Sequence, residues 1–148
     1  MCYNSINERR KDDQKMKAFT FTYLNNYRNL GQNAEQSIRF HFTGKILKAD
    51  NLRFDKGADV LNFQIKSAKA TVCKGTDFEK YLDLDASELY IYATRNGTAY
   101  VMEKAEYIAF VNAFGYVTRE SEKNGGAEKI RLRDESKKML AWLEEKLK

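Results

Sequence analysis

One dipeptide constrains this chain more than any other. In "ELYIYATRNGTAYVME" (88–103), Asn96-Gly97 stands between two runs rich in Tyr, Ile, Val and Thr. Asn and Gly accept the positive φ that a type I′ turn demands at both central positions, and the flanking residue types suit a pleated, half-buried surface. The spacing predicts an antiparallel hairpin closed by a two-residue turn. A hairpin alone is marginal in water, so the rest of the chain must cover it.

The cover is legible as helices. "KAEYIAFVNAF" (104–114) repeats apolar residues at 107, 110, 111 and 114 and stops near Gly115. In "NLGQNAEQSIRFHFTGK" (29–45), Asn33 is a candidate N-cap, Ala34, Ile38 and Phe42 share a face, and Gly44 is the stop. "TDFEKYLDLDAS" (76–87) opens a short helix at Thr76 or Asp77. "ESKKMLAWLEEKLK" (135–148) lines Met139, Leu140, Leu143 and Leu147 along one side, with Asp134 or Ser136 as cap. Between residues 16 and 30 a helical spacing competes with the period-two "FTFTY" (19–23), and either element fits.

Further strands are expected at "LRF" (52–54), at "ADVL" (58–61), as one long run in "FQIKSAKATVC" (63–73), and at "KIRLR" (129–133) after the Gly125-Gly126 turn. Asn62 suits a tight turn between the second and third of these. The order of helices and strands predicts an α/β (α+β) single domain over 16–148, a central mixed β-sheet flanked by helices, preceded by a charged N-terminal arm at 1–15. With 148 residues, 43% of them hydrophobic, one core is affordable and two are not expected.

No run of about 18 apolar residues is present, so no membrane partner is expected and an intracellular, cytoplasmic protein is the expectation. Cys2, Cys73 and the single His41 leave too few thiols and imidazoles for a disulfide framework or a structural zinc site. Any metal would need oxygen ligands. A net charge of +5 suits an anionic partner such as nucleic acid.

The stretch "KGADVLNFQIKSAKATV" (56–72) carries the residues of chemical interest. Alternation puts Gln64 and Lys66 on one face of their strand and Phe63, Ile65 and Ser67 on the other, with Asp59 facing them from the preceding strand. A carboxylate, an amide oxygen and backbone carbonyls suit Mg²⁺, and a lysine beside the ion can orient water or neutralise a phosphate.

This arrangement resembles the PD-(D/E)XK (restriction-endonuclease-like) nuclease superfamily in its Q-x-K variant: an acid ending one strand, Asp59 in "GADV", then "QIK" (64–66) on the next, with Gly31 and Glu35 of "GQNAE" upstream. The resemblance spans roughly 31–73. It implies a restriction-endonuclease-like core and Mg²⁺- or Mn²⁺-dependent hydrolysis of phosphodiester bonds in nucleic acid, DNA favoured. Asp59, Gln64, the Ile65 backbone carbonyl and Glu35 would hold the metal, and Lys66 would be the catalytic lysine. Gln64 replaces the acid most members carry, and the gap from Asp59 is short, so Asp55 is the alternative first acid. Cutting both strands of a duplex would call for a homodimer. The alternative readings are an inactive nucleic-acid-binding module of the same fold and a phage- or defence-associated interaction component.

In "KIRLR", Lys129, Arg131 and Arg133 fall on one face, with Ile130 and Leu132 behind them, forming a basic ribbon. Lys69 and Lys74 add positive charge for a phosphate backbone. The bland reading of the ribbon is an edge strand guarded by charge. His41 is expected as a packed or half-buried side chain, Cys73 and Trp142 as core, and Tyr90 and Tyr92 as packing residues.

Overall fold

The computed structural model describes residues 16–24, 29–43, 63–85 and 87–148. The expected N-terminal arm, the strands at 52–54 and 58–61, Asp55, Asp59, Asn62 and the Gly44 stop lie outside these residues. The elements in order are β1 (Lys17–Thr20), α1 (Leu30–Thr43), β2 (Phe63–Ser67), β3 (Thr71–Lys74), α2 (Phe78–Asp83), β4 (Leu89–Ala93), β5 (Thr98–Met102), α3 (Lys104–Phe114), β6 (Gly115–Arg119), β7 (Glu128–Leu132) and α4 (Lys137–Lys146). They form a mixed α/β fold with two sheets.

The first sheet runs β1-β5-β4-β2 and the second β3-β7-β6. In the first, β2 lies parallel to β4 while β4–β5 and β5–β1 are antiparallel, so the sheet is mixed as expected. At its start the ambiguous segment resolves in favour of period two: Lys17–Thr20 pairs with Thr98–Val101, because the edge of β5 offers backbone partners.

Strand alternation divides the core in two. On one face Ile65, Ile91, Ala93 and Ala99 meet Ala34 and Ile38 of α1. On the other, Tyr90, Tyr92, Tyr100 and Met102 meet Tyr107, Phe110, Val111 and Phe114 of α3, Met139 and Leu143 of α4, and Leu132 of β7. Tyr90 stacks on Tyr107 with ring centroids 4.3 Å apart. Trp142 packs against Phe110 and Phe114, as its place in the terminal helix suggested.

Three sequence expectations change. The long strand at 63–73 is two strands in different sheets. Its apolar pattern is continuous, but Lys69 adopts φ +65° and the Ala70 amide donates to the Ser67 carbonyl, turning the chain between β2 and β3. Next, α1 begins before Asn33: the Asn29 side chain accepts from the Gln32 amide (3.1 Å), and its carbonyl accepts from the Asn33 amide (2.9 Å). Asn33 thus sits inside the helix, where its carboxamide oxygen accepts from Ser37 (3.4 Å).

The hairpin turn is the third. Asn96 has no positive φ, whereas Gly97 has φ +93°, so a three-residue loop of Arg95, Asn96 and Gly97 replaces the two-residue type I′ turn. The Gly97 amide donates to the Thr94 carbonyl and the Thr94 amide to the Thr98 carbonyl, while Gly97 itself presses against the Phe21 backbone.

The α2 and α4 caps are as expected: Asp77 accepts from the Lys80 amide and Ser136 from the Met139 amide. Gly115 ends α3 and starts β6 without a loop; a Cβ there would lie 2.5 Å from the Val111 carbonyl oxygen.

Candidate functional site

Gln64 and Lys66 share a face of β2, in register with Tyr90 and Tyr92 of β4. Ile65 points the other way, into the cluster beneath α1. Glu35 belongs to that helix. That helix packs on the Ile65 face of β2, opposite the face that carries Gln64 and Lys66, and β2 is the edge strand of its sheet. The physical reason is the period of two: once Ile65 is buried under α1, its neighbours must face away. Asp59, the acid on which a metal site would depend, lies outside the described residues.

Among the described residues no group of three or more His, Cys, Asp or Glu side chains is arranged to hold a metal ion. Gln64 contributes a neutral amide, which by itself is a weak ligand for Mg²⁺. The described side chains do not by themselves fit the divalent ion that the resemblance implies. Lys66 has a definite position: its Nζ donates to the Thr71 carbonyl oxygen (3.1 Å), bridging the turn between the two sheets.

The five residues expected to meet a nucleic acid gather on the second sheet and the turn entering it. In β7, Leu132 is fully buried and Ile130 packs against the same core, which leaves Lys129 and Arg131 on the outward face. Arg131 stands opposite Thr71 on one side and Tyr116 on the other; Lys129 stands opposite Lys74 and Thr118. Arg133 follows with its guanidinium carbon 5.0 Å from the Tyr116 ring centroid. Arg131 donates from Nε (3.0 Å) and Nη2 (2.8 Å) to the carbonyl oxygen of Lys69.

Lys74 and Lys129 are direct cross-strand neighbours, a pairing that costs stability unless the charge is offset. Glu120 supplies part of that offset, 3.2 Å from the Lys129 ammonium. A cleft of about 600 Å³ opens at this end of the sheet, lined in part by Lys74, Arg119, Glu120 and Lys129. β6 and Tyr116 were missed from the sequence, though "YVTR" (116–119) alternates directly after Gly115 and was there to be read.

Other expectations are answered individually. Cys73 is buried, and burial pushes its thiol pKa upward, so a reactive thiolate is disfavoured. His41 is packed, its ring stacked on Phe19 at 4.9 Å, although the residue is exposed and not half-buried. Asp134 holds Arg95 at 2.7 Å, and that hydrogen bond draws its carboxyl below the usual range. Sequence reading also missed the polar interior of α1: Gln36 and Arg39 are wholly buried, and the Gln36 carboxamide has no hydrogen-bond partner among the described residues.

The fold and site define a mixed α/β protein with a basic outward sheet. No family model, curated protein or solved structure matches the chain. Among the described residues no helix is long and apolar enough to cross a membrane.

Proposed function

We propose that the protein binds nucleic acid through the outward face of the second sheet. The observation that carries this reading is the paired register of Lys74 with Lys129, continued along β7 by Arg131 and beyond it by Arg133. Stacking like charges opposite one another is unfavourable in an isolated protein and becomes favourable when phosphates neutralise them. Tyr116 beneath Arg133 adds an aromatic surface of the kind on which bases stack.

Fluorescence anisotropy with labelled DNA and RNA, single-stranded and duplex, tests the reading. Affinity falls steeply with salt, and Lys129→Ala and Arg133→Ala each reduce the salt slope by about one. Salt-independent binding, or slopes unchanged in both variants, would reject it.

A second reading adds metal-dependent phosphodiester hydrolysis at Asp59, Gln64 and Lys66, with Mg²⁺ or Mn²⁺ as cofactor and a homodimer as the form that cuts both strands. What favours it is the bond from Lys66 to Thr71, the residue opposite Arg131, which joins the Q-x-K strand to the basic face. Glu35 is the auxiliary acid of this reading. Cleavage of plasmid and single-stranded substrates, lost in Asp59→Ala and in Lys66→Ala, supports it; cleavage surviving in both excludes this site.

A further inference from the structure

β6 (Gly115–Arg119) is the last strand of the second sheet among the described residues. Its pairing with β7 fixes which backbone groups look inward. The Arg133 amide donates to the Phe114 carbonyl (2.9 Å) and the Glu120 amide to the Ala127 carbonyl (2.9 Å), and the register between them has no shift. Antiparallel bonding alternates, so Tyr116 and Thr118 turn their amides and carbonyls to β7, while Val117 and Arg119 turn theirs to the open edge. Such an edge is a template for another strand.

The side chains there are apolar where an edge is usually blunted. Val117 stands opposite Ile130, on the sheet face that buries Leu132, yet it is 56% exposed. Beside it opens a groove of about 140 Å³ lined in part by Phe78, Val111, Asn112 and Ile130. The core reaches the edge at Val117 and ends there in the open. Natural edges commonly carry a lysine, a proline or a bulge at such a place, and β6 has a valine at its centre.

β6 is also complementary to itself. Laid antiparallel about a two-fold axis through Val117, the strand sets Val117 against its own copy, Tyr116 against Thr118 and Arg119 against Gly115. No like charges meet in that register. Gly115 has no side chain to obstruct the Arg119 stem, and it is the C-cap of α3, a helix without a basic residue in its last turn. The guanidinium of one copy therefore meets the negative end of the other copy's helix. Arg119 bonds Glu128 at 2.8 Å within its own chain, but those side chains are 68% and 43% exposed, and an exposed pair is weak enough to exchange.

We propose that β6 is the docking edge for a second copy of this chain, so that the second sheets of the two copies become one continuous sheet. The axis stands perpendicular to the sheet, which keeps the outward faces of both copies on the same side. Lys129, Arg131 and Arg133 of each copy then flank a shared seam that carries Tyr116 from both. A joint basic face for nucleic acid rests on the binding proposed above; the pairing of the strands does not. One strand pair falls below the area of a stable dimer, so a weak association is expected, with a Kd on the order of 10–100 μM.

Sedimentation of the full chain over a concentration series, without nucleic acid, tests the pairing. Val117→Lys and Val117→Glu each set like charges directly opposite one another at the axis. Because Val117 is exposed, neither variant is expected to unfold the chain, and thermal melts establish that.

Wild type is expected to be a concentration-dependent dimer, and each variant to associate about tenfold more weakly. An equimolar mixture of the two variants should recover the dimer, because opposite charges then face one another at the axis. If wild type stays monomeric at about 1 mM, the second copy is not the occupant, and the edge is left to a strand of another protein. Dimers that persist unchanged in both folded variants lie elsewhere on the surface and overturn the proposal, as does a mixture no tighter than its components. A wild-type dimer that responds to the variants as expected but binds no DNA or RNA supports the strand pairing and removes the nucleic acid reading.

Discussion

The Lys66 ammonium donates to the Thr71 carbonyl oxygen, 3.1 Å away, across the turn where the chain leaves the first sheet for the second. A charged donor on a half-buried backbone acceptor fixes the relation of β2 to β3. Lys66→Met retains the aliphatic stem and removes the donor, and should cost about 1 kcal/mol in urea unfolding, at the low end for a charged hydrogen bond because the site is partly exposed. A variant as stable as wild type would show the bond to be energetically idle.

Gly97 binds β1 to the β4–β5 hairpin by close approach. Its φ is +93°, and a Cβ would fall 2.6 Å from the Phe21 carbonyl oxygen, which is backbone and cannot rotate aside. Its own carbonyl accepts from the Phe21 amide at 2.8 Å. Gly97→Ala is expected to cost about 1–3 kcal/mol, read as a fall in melting temperature.

Phe110 is fully buried among Tyr92, Phe114 and Trp142. Phe110→Ala should destabilise by about 3–5 kcal/mol, since the surrounding rings cannot all close on the vacated volume. Trp142 fluorescence in the folded variant should shift as its contact with the ring disappears. An unshifted spectrum would argue against that contact.

Alkaline pH should unfold the protein through its buried phenols. Burial is the first cause that pushes Tyr23, Tyr90 and Tyr100 up to about 12, and it raises Tyr92 further. The unfolded chain releases these protons near pH 10. Above that value the folded state holds protons that the unfolded state has lost, so stability is complete below about pH 10 and declines as pH climbs towards 12. Melting temperature and tyrosinate absorbance, followed together, check this. Early titration of all tyrosines in the folded protein would contradict it.

Much of the local structure was readable. The 104–114 helix, the Asp77 and Ser136 caps and the β7 alternation follow from periodicity and cap chemistry, which act within a few residues. The candidate site was only half readable. That Gln64 and Lys66 share a face follows from the strand period, and so does the basic ribbon. Which side of the sheet Glu35 would occupy does not, because it depends on where α1 packs.

The sequence by itself determined which side chains travel together: Gln64 with Lys66, Lys129 with Arg131, Tyr90 with Tyr92. The backbone period sets those groupings whatever the fold. Tertiary structure alone decided what each group faces. Burial of Ile65 against Ile38 turned Gln64 and Lys66 away from α1, and the left-handed Lys69, its carbonyl held by Arg131 from sixty-two residues downstream, split one apolar run between two sheets. Those outcomes rest on partners distant in the chain, and no local pattern encodes them.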